Sequence, residues 1–103
     1  MIWLTALPLY NEPHILQLVT TGDEQAFEQL FRHYRNKAYS IALTYMSSPD
    51  LAEDVLQEFF LKLWKQKETL VHIERFEQYF FVMLRNMLIS ALRQADRQQK
   101  IKG

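Results

Sequence analysis

The densest run of chemically capable side chains lies between Asp50 and Trp64, where acids and a glutamine alternate with aromatic and aliphatic residues. Its four acids, Asp50, Glu53, Asp54 and Glu58, have no base among them. Carboxylates near the start of a helix are stabilised by the helix dipole, and this accounts for Asp50 and Glu53 without any function. The other two acids are left as candidates for contact with a partner.

A second charged region lies at the C-terminal end and has the opposite sign. One acid, Asp96, stands there among five bases: Arg85, Arg93, Arg97, Lys100 and Lys102. Arg93, Arg97 and Lys100 recur at helical steps, so they can line one side of a helix and follow a row of phosphates. A solvated helix face is the commoner explanation for such a row. Two regions of opposite sign in a chain of zero net charge suggest two different partners.

The helix that carries the acidic run has more apolar residues than one buried stripe needs. Ala52, Leu56, Phe59 and Leu63 already form an inward stripe, with Val55 as an alternative to Leu56. Large apolar groups rimmed by polar ones are typical of interaction patches. Off that stripe lie three large apolar residues, Phe60, Leu61 and Trp64, and next to them three polar ones, Asp54, Gln57 and Glu58. The alternative, that these aromatics pack beneath the N-terminal segment or the first helix, is about equally well supported.

The segment from Glu68 to Glu77 loses helical periodicity and is predicted to be a connection with a special conformation. His72, Ile73, Glu74 and Arg75 combine a ring, an apolar wedge, a carboxylate and a guanidinium, which together could hold one extruded base. Taken alone, the segment is more simply an ordinary connector whose Ile73 plugs the core. Asn86, within a later apolar stretch, either bonds a buried backbone group or reaches a partner, and the structural role is slightly favoured.

Catalysis is not indicated by any motif in the chain, so no enzyme activity, cofactor or metal is expected. His14, His33 and His72 are scattered, without metal-ligand spacing, and the chain has neither a glycine-rich phosphate loop nor a nucleophile elbow. The absence of cysteine suits a reducing compartment, and the cytoplasm is the expected location. Met1 to Tyr10 is apolar but carries no base, and Pro8 interrupts it, so it is interpreted as a tail or first packing segment without membrane insertion.

Four helices are predicted to position these groups. The first runs from Pro13 to Thr20 with Asn11 as its cap, and the second is capped by Asp23. The third starts at Ser48 and Pro49 and ends near Gln66 or Lys67, and the last begins near Phe76.

Apolar spacing predicts which faces of the two longest helices are buried. The seam expected on the second helix consists of Phe27, Phe31, Tyr34, Ala38, Ile41 and Tyr45. The stripe expected on the last helix contains Phe80, Met87 and Ala91, either Met83 or Leu84, and either Leu88 or Leu92. The predicted fold is all-α, a compact bundle of three main helices plus a short N-terminal helix around one core.

The run from Asp50 to Trp64 resembles the second conserved region of bacterial sigma factors of the extracytoplasmic-function class. That region reads much like Asp-x-Ala-Glu-Asp-x-x-Gln-Glu-x-Phe-x-x-x-Trp. Gly22 to Phe27 with Leu30 to Tyr34 is similar to the family's opening helix, and Tyr79 to Arg93 is similar to its region-ending helix. Three motifs in order give a resemblance that spans about residues 20 to 98.

The resemblance implies two partners. The first is core RNA polymerase, on whose largest-subunit clamp helices the acidic-glutamine helix of the family docks, which makes candidates of Asp54, Gln57, Glu58, Phe60, Leu61 and Trp64. The second is promoter DNA, of which the family captures an unstacked base of the −10 element on the non-template strand. Its candidate residues are Val71, His72, Ile73, Glu74 and Arg75 for the base and Arg85, Arg93 and Arg97 for the backbone.

The resemblance also implies a domain division and a third partner. Residues 1–22 would form the tail and short helix, 23–98 the sigma region 2 domain, and 99–103 the start of a linker to a helix-turn-helix domain that this sequence does not contain. An anti-sigma factor would cover the polymerase-binding face. The rival hypothesis is a protein-protein adaptor or anti-sigma-like helical module that makes no DNA contact.

Overall fold

The computed structural model describes residues 9–102, with side chains described for residues 9–98. Within that range the chain forms four α-helices, α1 (Glu12–Thr20), α2 (Glu24–Met46), α3 (Pro49–Lys65) and α4 (Phe76–Lys102), and a 3-10 helix (Lys67–His72) between the last two. No strand occurs in the described residues. The predicted all-α fold is therefore confirmed. The predicted tail, Met1 to Tyr10, lies outside the described residues except for Leu9 and Tyr10.

Side-chain capping hydrogen bonds mark the first residues of α1, α2 and α3, as the sequence predicts. The Asn11 side chain accepts a hydrogen bond from the backbone N–H of His14, and Asp23 accepts one from Ala26. Ser48 accepts one from Leu51 at 3.4 Å, directly before Pro49 at the start of α3. Each cap satisfies a backbone N–H that has no partner within its helix. Gly22, between α1 and α2, has a φ of 90°, which glycine adopts without steric cost.

The buried face of α2 is shifted by one residue from the predicted seam over most of its length. The fully buried residues are Ala26, Leu30, Tyr34, Ala38 and Ala42, of which only Tyr34 and Ala38 were predicted. Phe27, Phe31, Ile41 and Tyr45 are only partly buried and pack against the edge of the core. Small residues on the inward line let neighbouring helices approach closely, and the larger aromatics lie on the flank.

The core-facing side of α3 follows its predicted stripe, whereas that of α4 follows it only in part. Met87 and Ala91, both predicted to be in the α4 stripe, are only partly buried. Val55 and Leu56 are both buried on α3, and so is Phe60. On α4 the buried residues are Phe76, Phe80, Leu84 and Leu88, whereas Leu92 is 39% exposed. Helix α4 runs on through Lys102, and the predicted domain boundaries at residues 22 and 98 stay predictions.

The connection between α3 and α4 has the special conformation that its sequence predicts. Its 3-10 helix buries Leu70 completely, while Ile73, the predicted plug, is only partly buried. Helix α1 packs on this segment, and the Thr20 hydroxyl donates a hydrogen bond to the backbone carbonyl of Lys67 at 3.3 Å. The first helix therefore supports the connection from the side.

Candidate binding surfaces

Helix α3 has a groove on each side, and the two grooves differ in chemistry. On the α2 side lies an apolar groove of about 420 Å³. We call it the aromatic groove, and its lining residues are Glu24, Phe27, Phe31, Gln57, Phe60, Leu61 and Trp64. On the α4 side lies a smaller hollow of about 300 Å³, which we call the polar hollow. Its lining residues are Lys62, Tyr79, Val82, Met83, Asn86, Met87 and Ser90.

The aromatic groove is built by edge-to-face ring contacts between α2 and α3. The Phe31 and Phe60 ring centroids lie 4.7 Å apart, and those of Phe27 and Trp64 lie 5.0 Å apart. The Lys67 ammonium lies 4.5 Å from the Trp64 ring centroid, which is a cation–π contact with one face of the indole. The aromatics of α3 are thus covered in part by the aromatic side chains of α2.

Burial within the groove separates its floor from its rim. Phe60 is only 5% exposed and contacts Phe59 and Phe80, so it belongs to the core as well as to the groove. Leu61 is 53% exposed, and Gln57 is also exposed. An exposed leucine that is continuous with a groove of aromatic rings and bordered by a polar amide is typical of a protein-binding patch.

The six predicted polymerase-binding residues do not share one surface. Gln57, Phe60, Leu61 and Trp64 line the aromatic groove. Asp54 and Glu58 lie on the other side of α3, in a crevice against the C-terminal half of α4 that includes Gln94 and Gln98. The predicted set therefore divides into an apolar group and an acidic pair.

The polar hollow combines three chemical functions that suit a nucleotide. Tyr79 offers a ring, Asn86 an amide and Lys62 an ammonium, and these groups can stack on a base, bond its polar edge and pair with a phosphate. Asn86 is exposed in the hollow, so the buried structural role favoured from sequence is wrong. Gln66 helps to orient the Tyr79 side chain, because its amide donates a hydrogen bond to the Tyr79 hydroxyl.

The basic residues of α4 lie on two different sides of the helix. Arg93 and Arg97 follow Asn86 and Ser90 at steps of three and four residues, so they extend the face of the polar hollow. Arg85 is one residue from Asn86, which turns its side chain about 100° away. It follows Phe81 by one turn, on the side where the Lys37 ammonium lies 4.9 Å from the Phe81 ring centroid. The three predicted arginines therefore do not form one row.

The predicted base-capturing residues, Val71 to Arg75, do not line the polar hollow. Val71, Ile73 and Glu74 line a separate hollow of about 280 Å³ that faces Glu12 and Pro13 of α1. His72 and Arg75 are exposed. Sequence reasoning missed Lys62 and Tyr79 because they come together only when α3 and α4 pack.

A partly buried polar cluster links Tyr10 and the start of α1 to the bundle. One carboxylate oxygen of Glu12 accepts hydrogen bonds from the Tyr10 hydroxyl, at 3.0 Å, and from the Tyr34 hydroxyl. Burial, followed in importance by the Glu12 carboxylate, raises the pKa of both tyrosines above their usual range. Both hydroxyls therefore stay protonated and keep donating to Glu12.

Within residues 9–102 no helix is long and apolar enough to cross a bilayer. The same residues contain no group of three or more potential metal ligands.

Comparison with known proteins gives one match. The family model described as Sigma-70 region 2 matches residues 30–98, which include most of α2, all of α3, the connection and most of α4. A search of curated proteins and a search of solved structures found no match. Both grooves beside α3 lie largely inside the matched residues, whereas α1 lies outside them.

Proposed function

The chain belongs to the sigma-70 region 2 family, and on that premise we propose that it is the region 2 domain of an extracytoplasmic-function sigma factor. Domains of this family bind core RNA polymerase and take part in promoter melting, and they are not enzymes. The finer assignment to the extracytoplasmic-function class rests on the acidic-glutamine motif of α3. Each of the two partners is assigned here to one of the two grooves.

The aromatic groove is the surface proposed for the clamp helices of the polymerase largest subunit. The observation that carries this proposal is the exposure of Leu61, 53%, beside a half-buried Trp64 on the family-matched helix. Gln57 supplies a polar contact at the rim of the groove. Asp54 and Glu58 lie outside the groove, on the side of α3 that faces α4, and are proposed to contact basic residues of the clamp there. The same apolar face is the one that an anti-sigma factor would have to cover in order to inhibit docking.

The polar hollow is the surface proposed for an unstacked base of the −10 element. Tyr79 stacks on the base, Asn86 bonds its edge, and Lys62 pairs with a phosphate. Arg93 and Arg97 continue the phosphate contacts along the same face of α4. The residues from Val71 to Arg75 belong to the segment that leads into this helix and are proposed to contact the neighbouring nucleotides. Arg85 lies on the other side and is not part of this proposed track.

The proposed mechanism uses binding energy and makes no covalent change in the DNA. A hollow that accepts a splayed-out base does not bind the same base within a stacked duplex. Differential affinity of this kind shifts the equilibrium toward the melted duplex. The near-zero net charge fits this mechanism, because tight DNA binding is needed only when the polymerase presents the promoter.

The polymerase assignment is tested by calorimetric titration of a clamp-helix fragment. Replacing Gln57 and Trp64 together by alanine is expected to weaken binding by at least about 2 kcal/mol, roughly thirtyfold, because Trp64 is the large apolar anchor. Tyr79→Ala is the matched control, since it also removes an aromatic side chain but on the other side of α3. Failure of the wild-type chain to bind the fragment would refute the assignment.

The DNA assignment is tested with the chain bound to core polymerase. We expect it to retain single-stranded oligonucleotides from a randomised pool in preference to the matching duplexes, with an affinity that falls as salt rises. Equal affinity for the two forms would contradict base capture. A chain that binds the clamp and neither form of DNA would instead support the adaptor hypothesis.

A further inference from the structure

The carboxylate of Glu12 joins three parts of the chain. Its Oε1 accepts one hydrogen bond from the hydroxyl of Tyr10, which precedes α1, and one from the hydroxyl of Tyr34, which belongs to α2. The Tyr10 ring stacks on His33 with a centroid distance of 3.6 Å and nearly parallel planes. Hydrogen bonds to an ionised acceptor are the stronger kind, so this cluster can fix the N-terminal end of α1.

Tyr34 also connects this cluster to the beginning of α4, through contacts between aromatic rings. Its ring stacks on Phe80 at 4.5 Å and meets Phe76 at 5.8 Å. Phe80 directly follows Tyr79, which lines the polar hollow. A shift of Tyr34 would therefore displace the first turns of α4, next to Tyr79, the residue proposed to stack on the base.

The other end of α1 supports the connection. Thr20 donates to the carbonyl of Lys67, and Leu16 lines the hollow that contains Val71 and Ile73. The 3-10 helix itself begins without a side-chain cap, and 3-10 helices have poorer hydrogen-bond geometry than α-helices. Packing against α1 therefore contributes to holding this segment in place.

We propose that Glu12 is a positioning residue for DNA binding: by clasping Tyr10 and Tyr34 it seats α1 against the connection and the start of α4. This inference rests on the proposed function of the polar hollow. It extends beyond family membership, because the match begins at residue 30 and does not include α1. None of the residues that line the aromatic groove comes from α1, so polymerase docking should not depend on the clasp.

The test separates DNA binding from polymerase binding in the same variants. Glu12→Ala removes the acceptor and leaves the Tyr34 hydroxyl buried without it, whereas Glu12→Gln retains a neutral carbonyl acceptor. Glu28→Ala is the matched control, because Glu28 is an exposed glutamate that pairs with Arg32 at 2.7 Å on the surface of α2. The DNA probe is a single strand selected from a randomised pool by the wild-type chain on core polymerase.

We expect Glu12→Ala to weaken single-strand binding by about fivefold or more, the lower end of typical coupling between sites, with unchanged affinity for the clamp fragment. Glu12→Gln should recover part of that loss, and Glu28→Ala should bind like the wild type. Hydrogen exchange in Glu12→Ala should accelerate at residues 67–75 and not in α3. Tyr34→Phe provides a second variant with one hydrogen bond removed and should show a smaller change in the same direction.

Two results would overturn the inference. One is unchanged single-strand binding in Glu12→Ala. The other is an equal loss of clamp and DNA binding, since that would indicate general destabilisation and no positioning role. Failure of the proposed function is distinguishable from both, because it would appear in the wild-type chain as absence of single-strand preference.

Discussion

The aromatic groove and the polar hollow beside α3 differ in how rigid their lining side chains are. The floor of the aromatic groove is Phe60, whose ring is part of the core, and its walls are further aromatic rings. The polar hollow is lined by longer and more flexible side chains, among them Lys62, Met83 and Met87. A rigid apolar surface loses little entropy when it binds, whereas methionine adapts its shape to what it contacts.

This difference matches the two tasks proposed for the domain. The clamp helices proposed as the partner would present an ordered helical surface, which a groove fixed by the core can complement before contact. A base that has left its stack arrives in varied orientations, and a hollow of flexible side chains can close on it. One helix therefore provides a preorganised face and an adaptable face.

The largest expected effect is a difference in the free energy of unfolding between a variant at the floor of the aromatic groove and a variant at its rim. Phe60→Ala should reduce the free energy of unfolding by about 3–5 kcal/mol, because it removes a buried ring from the core. Leu61→Ala should change it by about 0.5 kcal/mol or less, since that side chain is mostly in water. Urea denaturation followed by circular dichroism measures both. Similar losses for the two variants would show that the groove is not fixed by the core.

A smaller effect is expected where the hollow would receive a base. Tyr79→Ala should weaken single-strand binding by about 1–3 kcal/mol, the usual contribution of one base stacked on an aromatic ring. Tyr79→Phe keeps the ring and should retain most of the affinity, even though it loses the hydrogen bond from Gln66. Fluorescence anisotropy with a labelled oligonucleotide measures both variants. An equal loss in the two would assign the role to the hydroxyl and not to stacking.

The helix boundaries could be predicted because their causes are local. Asn11, Asp23 and Ser48 cap helices through hydrogen bonds to residues three positions away, and Pro49 stands where its missing N–H costs nothing. Such signals are complete within a few residues of sequence. The buried stripe of α3 was also predictable, because its apolar residues repeat with the helical period.

The exact faces of α2 and the polar hollow could not be predicted from sequence. Two adjacent stripes of α2, one through Leu30 and one through Phe31, have the same period, and only packing against the other three helices decides between them. Lys62 and Asn86 are 24 positions apart in the sequence and meet because two helices pack side by side. Periodicity identifies faces within one helix, but it carries no information about which faces meet.

The smallest expected effect tests whether the DNA track follows one side of α4. Arg93→Gln and Arg97→Gln should each reduce the slope of log affinity against log salt by about 0.7, because each removes one phosphate contact to a single strand. Arg85→Gln should leave the slope unchanged, since Arg85 follows Phe81 by one helical turn and so lies on a different side of the helix from Arg93 and Arg97. All three variants lose one positive charge, so a general charge effect would lower the three slopes equally. A reduced slope in Arg85→Gln as well would mean that the strand crosses over α4 and contacts both of its sides.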